Sequence, residues 1–126
     1  MNGKKLFAIR GASQCLNTVE DITRQVTALY REVLERNNLD ETGIVSLVFS
    51  VTEDLDAKNP AAALRAGGFA ADTALFVVQE ARFTEGLERT VRLLLHCYLD
   101  ENSRPFHVYR NGAEVLRPDR ACGRPA

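Results

Sequence analysis

The chain has 126 residues, 45% apolar and 26% charged, which fits one soluble globular domain. Its 16 basic and 17 acidic residues leave a net charge of −1, so the basic excess of a nucleic-acid or anionic-membrane binder is missing. Three scattered cysteines, Cys15, Cys97 and Cys122, form no CxxC and point to free thiols rather than a disulfide framework.

In chain order, 4–10 ("KKLFAIR") reads as a first strand. It ends at Arg10, before a glycine that permits a tight turn. The opening "MNGKKLFAIRGAS" is too poor in apolar residues for a signal peptide, and no run elsewhere is long enough to span a membrane, so a cytoplasmic protein is expected. Over 17–38, Ile22, Val26, Leu29 and Val33 recur at helical spacing with Arg and Glu between them. Asn17 with Glu20, or Thr18 with Asp21, supplies the start, and Asn37-Asn38 the stop. The run 44–50 ("IVSLVFS") is a buried strand. A short helix over 59–68 has Asn59 as cap, Pro60 in the first position and Gly67-Gly68 as the end. Residues 74–79 ("ALFVVQ") form a third strand, 84–89 a turn or two of helix, and 91–99 a fourth strand. "FHVY" and "AEVL", joined through Asn111-Gly112, suggest a hairpin. One domain is expected over 1–118, with a mobile tail over 119–126.

Strands 44–50, 74–79 and 91–98 are apolar on both faces. One long helix covers one face of such a sheet, and the short helix adds little. The expected fold is therefore α+β: a mixed sheet with one long and one short helix, oligomerising through the face left bare.

Three charges interrupt this pattern. Arg10, Glu80 and Arg92 sit at or near predicted strand ends, where a charge is costly unless it is paired or faces a polar cavity. On the fourth strand Arg92 shares a face with Leu94, His96 and Tyr98. Tyr109 offers a hydroxyl at another strand end. A register-fixing ion-pair network and a ligand cleft both fit these placements. Of the basic residues, thirteen are Arg and three are Lys. Codon bias explains such a ratio, and so does anion recognition, since guanidinium binds carboxylates bidentately. His96 and His107 carry no metal-ligand spacing and are read as core or surface histidines. Ser13 and Ser50 lack evident triad partners, and neither GxGxxG nor a P-loop occurs.

"IRGAS" (9–13), "TEDLDAKNPAAALR" (52–65), "VQE" (78–80), "GLERTVR" (86–92) and "HVYRNGAEVLRPD" (107–119) together resemble the AroH-class chorismate mutases, in order and with matching spacing. The resemblance implies a trimeric pseudo-α/β-barrel with clefts between subunits, chorismate as substrate, and no cofactor. It assigns carboxylate binding to Arg10 and Tyr109, the ring hydroxyl to Glu80 and the ether oxygen to Arg92; Arg10, Glu80 and Arg92 would be catalytic. It also places Arg65, Leu116 and Arg117 in the site, with Asn59, Ala61 and Ala62 at the cleft mouth and Val77 near the ring hydroxyl. The better-known family pattern has an aromatic, a Lys and a Cys where this chain has Asn59, Ala62 and Val77. Two other readings share the architecture: a non-catalytic trimeric carboxylate-binding protein and a RidA-like imine deaminase.

Overall fold

A computed structural model describes residues 3–116. Arg117 and the expected tail over 119–126 lie outside the described residues. The elements run β1 (Lys4–Gln14), α1 (Val19–Arg36), β2 (Ile44–Val51), α2 (Pro60–Ala66), β3 (Ala74–Gln79), β4 (Thr90–Asp100) and β5 (Val108–Arg110). Short 3-10 helices occupy Glu41–Gly43 and Ala113–Leu116. The strands form one five-stranded sheet in the order β3-β2-β4-β1-β5. β4 runs antiparallel to β1 and β2, and β3 and β5 are parallel edge strands, so the mixed sheet and the α+β class are as expected.

Local chemistry sets the helix ends. Thr18 caps α1 by accepting from the Asp21 N–H at 3.0 Å. Asp21 in turn accepts from the Leu16 N–H at 2.7 Å and pairs with Arg24. At the other end Asn38 takes φ 47°, a left-handed turn that Asn tolerates. Asn37 does more than stop the helix. Its amide donates to the Val33 and Phe106 carbonyls and accepts from the Phe106 N–H at 2.8 Å, which docks the approach to β5. Asn59 caps α2 by accepting from the N–H groups of Ala61 and Ala62.

The core lies on one face of the sheet. Ile22, Val26, Leu29, Tyr30 and Val33 of α1 pack with Ala61 and Leu64 of α2 over Ile9, Leu47, Phe49, Leu93, Leu95 and Cys97. The Tyr30 hydroxyl donates to Glu41, which also accepts from the Ala70 N–H; burial pushes the phenol's pKa up. The opposite face is bare in the protomer except at its β1–β5 end, where Ala113 and Leu116 pack over Ala12 and Tyr109. Leu6, Phe76, Val78, Leu94 and Tyr98 are exposed there, with Arg92 at one end.

Three sequence expectations need correction. β1 does not end at Arg10. It runs on to Gln14 because residues 11–13 gain β5 on one side while β4 continues on the other. Gly11 is therefore no turn residue. A side-chain carbon there would stand 3.1 Å from the Val108 carbonyl oxygen and 3.2 Å from Leu29 Cδ1, so glycine is needed for close approach. Residues 84–89 are not helical: Asp54 binds the Arg89 N–H, Thr52 binds the Thr90 N–H, and the segment is tied across to the loop after β2. Finally, 106–116 is no hairpin. Asn111 and Gly112 do turn the chain with φ 54° and 102°, but β5 pairs with β1 and the turn leads into a 3-10 helix. That helix folds back because Ala113 buries itself against Ala12 and Tyr109.

Candidate active site

The strand register gathers the site. Arg92 lies opposite Ala12 of β1 and Ser50 of β2. Ala12 lies opposite Tyr109 of β5, and Ser50 opposite Val78 of β3. Directly paired residues point to the same face, so Tyr109, Ala12, Arg92, Ser50 and Val78 form one row across the bare side of the sheet. Arg10, Leu94 and Val48 belong to the neighbouring row, since Arg10 pairs with Leu94 and Leu94 with Val48. The 3-10 helix carrying Leu116 closes one end, packed with Tyr109.

These rows line a cavity of about 310 Å³ formed by Arg10, Gly11, Val48, Ser50, Arg92, Leu93, Leu94, Tyr109 and Leu116. Glu80 does not line this cavity but a second one of about 720 Å³, and it meets the first only through its contacts with Arg92 and Ser50. Its N–H continues the β2–β3 pairing by donating to the Val51 carbonyl at 2.8 Å. Its Oε1 lies 2.9 Å from Arg92 Nε and accepts from the Ser50 hydroxyl at 3.2 Å. The contact with Arg92 is an ion pair rather than an aligned hydrogen bond, because the buried Arg92 Nε has no hydrogen-bond partner among the described residues. The arginine is therefore charge-compensated but not saturated.

Arg10 is positioned through its backbone. Its N–H donates to Nδ1 of the buried His107 at 2.9 Å, one residue before β5 begins. The histidine is an acceptor there, which suits support of the strand and not proton abstraction in the cavity. Among the described residues neither thiol, Cys15 nor Cys97, lines the cavity, and both are buried. Burial raises the Cys97 pKa to about 11, and burial followed by the nearby Asp21 charge raises that of Cys15 to about 12.

Arg10, Glu80, Arg92, Tyr109 and Leu116 thus come together within one protomer. Asn59, Ala61, Ala62, Arg65 and Val77 do not join them. α2 packs on the helical side of the sheet, and Val77 pairs with Phe49 and packs into the core, so these residues are separated from Arg92 by the sheet itself. Asn59 is also committed to its cap, which gives this departure from the aromatic a local structural use. Ala62 and Arg65 are exposed. The contributions of Ser50, Val48 and Leu94 to the cavity, and of His107 to the placement of Arg10, were not evident from the sequence. Period-two alternation puts Ser50 beside Val48 on one face of β2, but only the pairing register sets it opposite Arg92.

Two guanidinium groups and a phenol around an apolar floor, with a carboxylate beside Arg92, fit a small anionic ligand that also carries apolar surface. Comparison with known proteins points the same way. The family described as chorismate mutase type I matches residues 6–120. The chain is 31% identical over 113 residues to chorismate mutase AroH of Bacillus subtilis strain 168, covering 88% of this chain and 89% of that one. The solved chorismate mutase from Clostridium thermocellum superposes with a TM-score of 0.80 at 39% identity, covering 87% of this chain and 99% of that one.

Proposed function

The chain belongs to the type I chorismate mutase family, and we propose that it converts chorismate to prephenate in the cavity on the bare face of its sheet. The observation that carries this reading is the convergence of Arg10, Arg92 and Tyr109 on one cavity, with Glu80 in contact with Arg92. The reaction is an intramolecular rearrangement that breaks one C–O bond and makes one C–C bond, with no proton transfer. The protein has two tasks. It holds a flexible dianion in a compact conformation, which removes orientational freedom before the reaction. It also presents fixed positive charge where the breaking bond leaves negative charge on the ether oxygen.

In this reading Arg92 faces the ether oxygen, its guanidinium permanently charged and able to bridge two oxygens. Arg10 and Tyr109 bind a carboxylate. Glu80 accepts from the ring hydroxyl and offsets the cost of two neighbouring arginines. Val48, Leu94 and Leu116 supply the apolar surface against the ring. The binding-module and deaminase readings find no support among the related proteins. Loss of chorismate absorbance on adding purified protein, with prephenate as product, is the test; unchanged chorismate would remove the proposal.

We also infer a homotrimer with clefts shared between copies. The support is the bare sheet face with its exposed Leu6, Phe76, Val78, Leu94 and Tyr98, together with the sheet that separates α2 from Arg92 in a single chain. A neighbouring copy is the means by which Asn59, Ala61, Ala62, Arg65 and Val77 reach a cavity. Sedimentation equilibrium at micromolar concentration is expected to return three times the mass of the 14.0 kDa chain. A fully active monomer would contradict this.

The altered mouth gives a second expectation. Ala62 is exposed on α2, so Ala62→Lys adds a cation without a packing clash. If that residue faces substrate, KM falls while kcat barely changes, the pattern of binding that is equal in ground and transition states. An unchanged KM at low ionic strength would show that position 62 faces elsewhere.

A further inference from the structure

We propose that Ser50 is a positioning residue that decides which oxygen of Glu80 faces the substrate. The inference rests on the chorismate mutase reading and deepens it. Ser50 lies directly across the β2–β4 pairing from Arg92 and lines the cavity. Its hydroxyl donates to Glu80 Oε1 at 3.2 Å, and Arg92 Nε lies 2.9 Å from that same oxygen. Among the described residues the one hydrogen bond to the Glu80 carboxylate, from Ser50, and the closest approach of Arg92 both fall on Oε1. Oε2 is left to accept from a ligand.

The arrangement matters because arginine and a carboxylate otherwise tend to close into a bidentate fork of two parallel N–H···O bonds. Such a fork would occupy both Glu80 oxygens and two Arg92 donors at once. The ligand would then lose its hydroxyl acceptor and part of its cationic donor set. By holding Oε1, the serine hydroxyl keeps the pair one-pointed. The unpartnered Arg92 Nε is the mark of that geometry: the ion pair is close, yet its N–H is not aimed at the carboxylate. Ser50 touches the substrate's acceptor rather than the reacting bond, so it acts through Glu80 and Arg92.

The test compares wild type, Ser50→Ala and Ser50→Thr, using chorismate for turnover and an unreactive analogue with and without the ring hydroxyl for binding. Ser50→Ala is expected to lower kcat about tenfold, the scale of one hydrogen bond to a charged group, with KM within about twofold. Ser50→Thr keeps the hydroxyl and is expected to restore kcat to within about threefold of wild type. The wild type should prefer the hydroxylated analogue by about tenfold, and Ser50→Ala should shrink that preference to about twofold, a coupling that mere loss of packing would not produce. Thermal melts of all three variants show whether the fold is kept. A Ser50→Ala enzyme with unchanged kcat and unchanged analogue preference would overturn the role, as would equal losses in the Ala and Thr variants. A wild type that leaves chorismate untouched would instead overturn the underlying reading, and the role of Ser50 would fall with it.

Discussion

Replacing Arg92 by lysine is expected to lower kcat by about 100- to 1000-fold while leaving the fold intact, the scale on which removal of one oriented oxyanion donor acts. Lysine retains the charge but concentrates it on a flexible ammonium that cannot span two oxygens in a plane. Among the described residues none takes its place. Arg10 is placed in the neighbouring row by its pairing with Leu94, and Tyr109 lies beyond Ala12 in the row of Arg92. Arg92 is half-exposed on the bare face, so its replacement leaves no void in the hydrophobic core. Turnover within a few-fold of wild type in a folded Arg92→Lys protein would show that Arg92 does not stabilise the developing charge.

Leu29→Ala is expected to cost about 2–5 kcal/mol of stability, the range for truncating a fully buried leucine in a packed core. Leu29 is 0% exposed and lies in the middle of α1, directly behind Gly11. Gly11 sits between Arg10 and Ala12, so the same contact that stabilises the helix supports the strand carrying the site. Each kcal/mol lowers the melting temperature by roughly 4 °C in a chain of this size. The comparison must be made at fixed protein concentration, because assembly adds its own stabilisation. Urea unfolding showing a loss under about 1 kcal/mol would mean that Leu29 is not a core anchor, or that α1 repacks to fill the space.

The legibility of this chain divides along the range of the interactions. α1 was readable because its signals are local: a 3.6-residue apolar period, the Thr18 cap and the Asn37-Asn38 stop. α2 and β3 were readable for the same reason, through Asn59, Pro60 and an apolar run bounded by polar residues. The choice of sheet face for Arg92 followed from alternation alone. What the sequence hid was pairing. Nothing local tells that 108–110 joins β1 as a parallel edge strand, and so the Asn111-Gly112 turn was read as the tip of a hairpin. Nothing local tells that Gly11 is small in order to admit Leu29 and the Val108 carbonyl. Ser50 shows only a missing triad in the sequence, because its importance lies in the register that sets it against Arg92 and Glu80. Arg10, Glu80, Arg92 and Tyr109 stand out by their placement at strand ends, and the motif resemblance adds the long-range information that favours a cleft over an ion-pair network. That resemblance did not show that α2 and Val77 lie across the sheet from Arg92 in a single protomer.

In the proposed reaction, fixed charges on the bare sheet face rearrange chorismate without moving a proton. The most direct measurement is kcat for chorismate conversion by the purified protein in H₂O and in D₂O, followed from about pH 6 to 9, a window that spans histidine titration. Arginine stays protonated throughout, and no acid or base takes part in the bond changes. The account predicts prephenate formed far faster than without protein, a kcat nearly flat with pH, and no solvent isotope effect once a viscosity control excludes limiting product release. Absence of conversion would contradict it. So would an isotope effect arising in the chemical step, or a histidine-like ionisation in kcat that disappears in a folded His107→Gln variant.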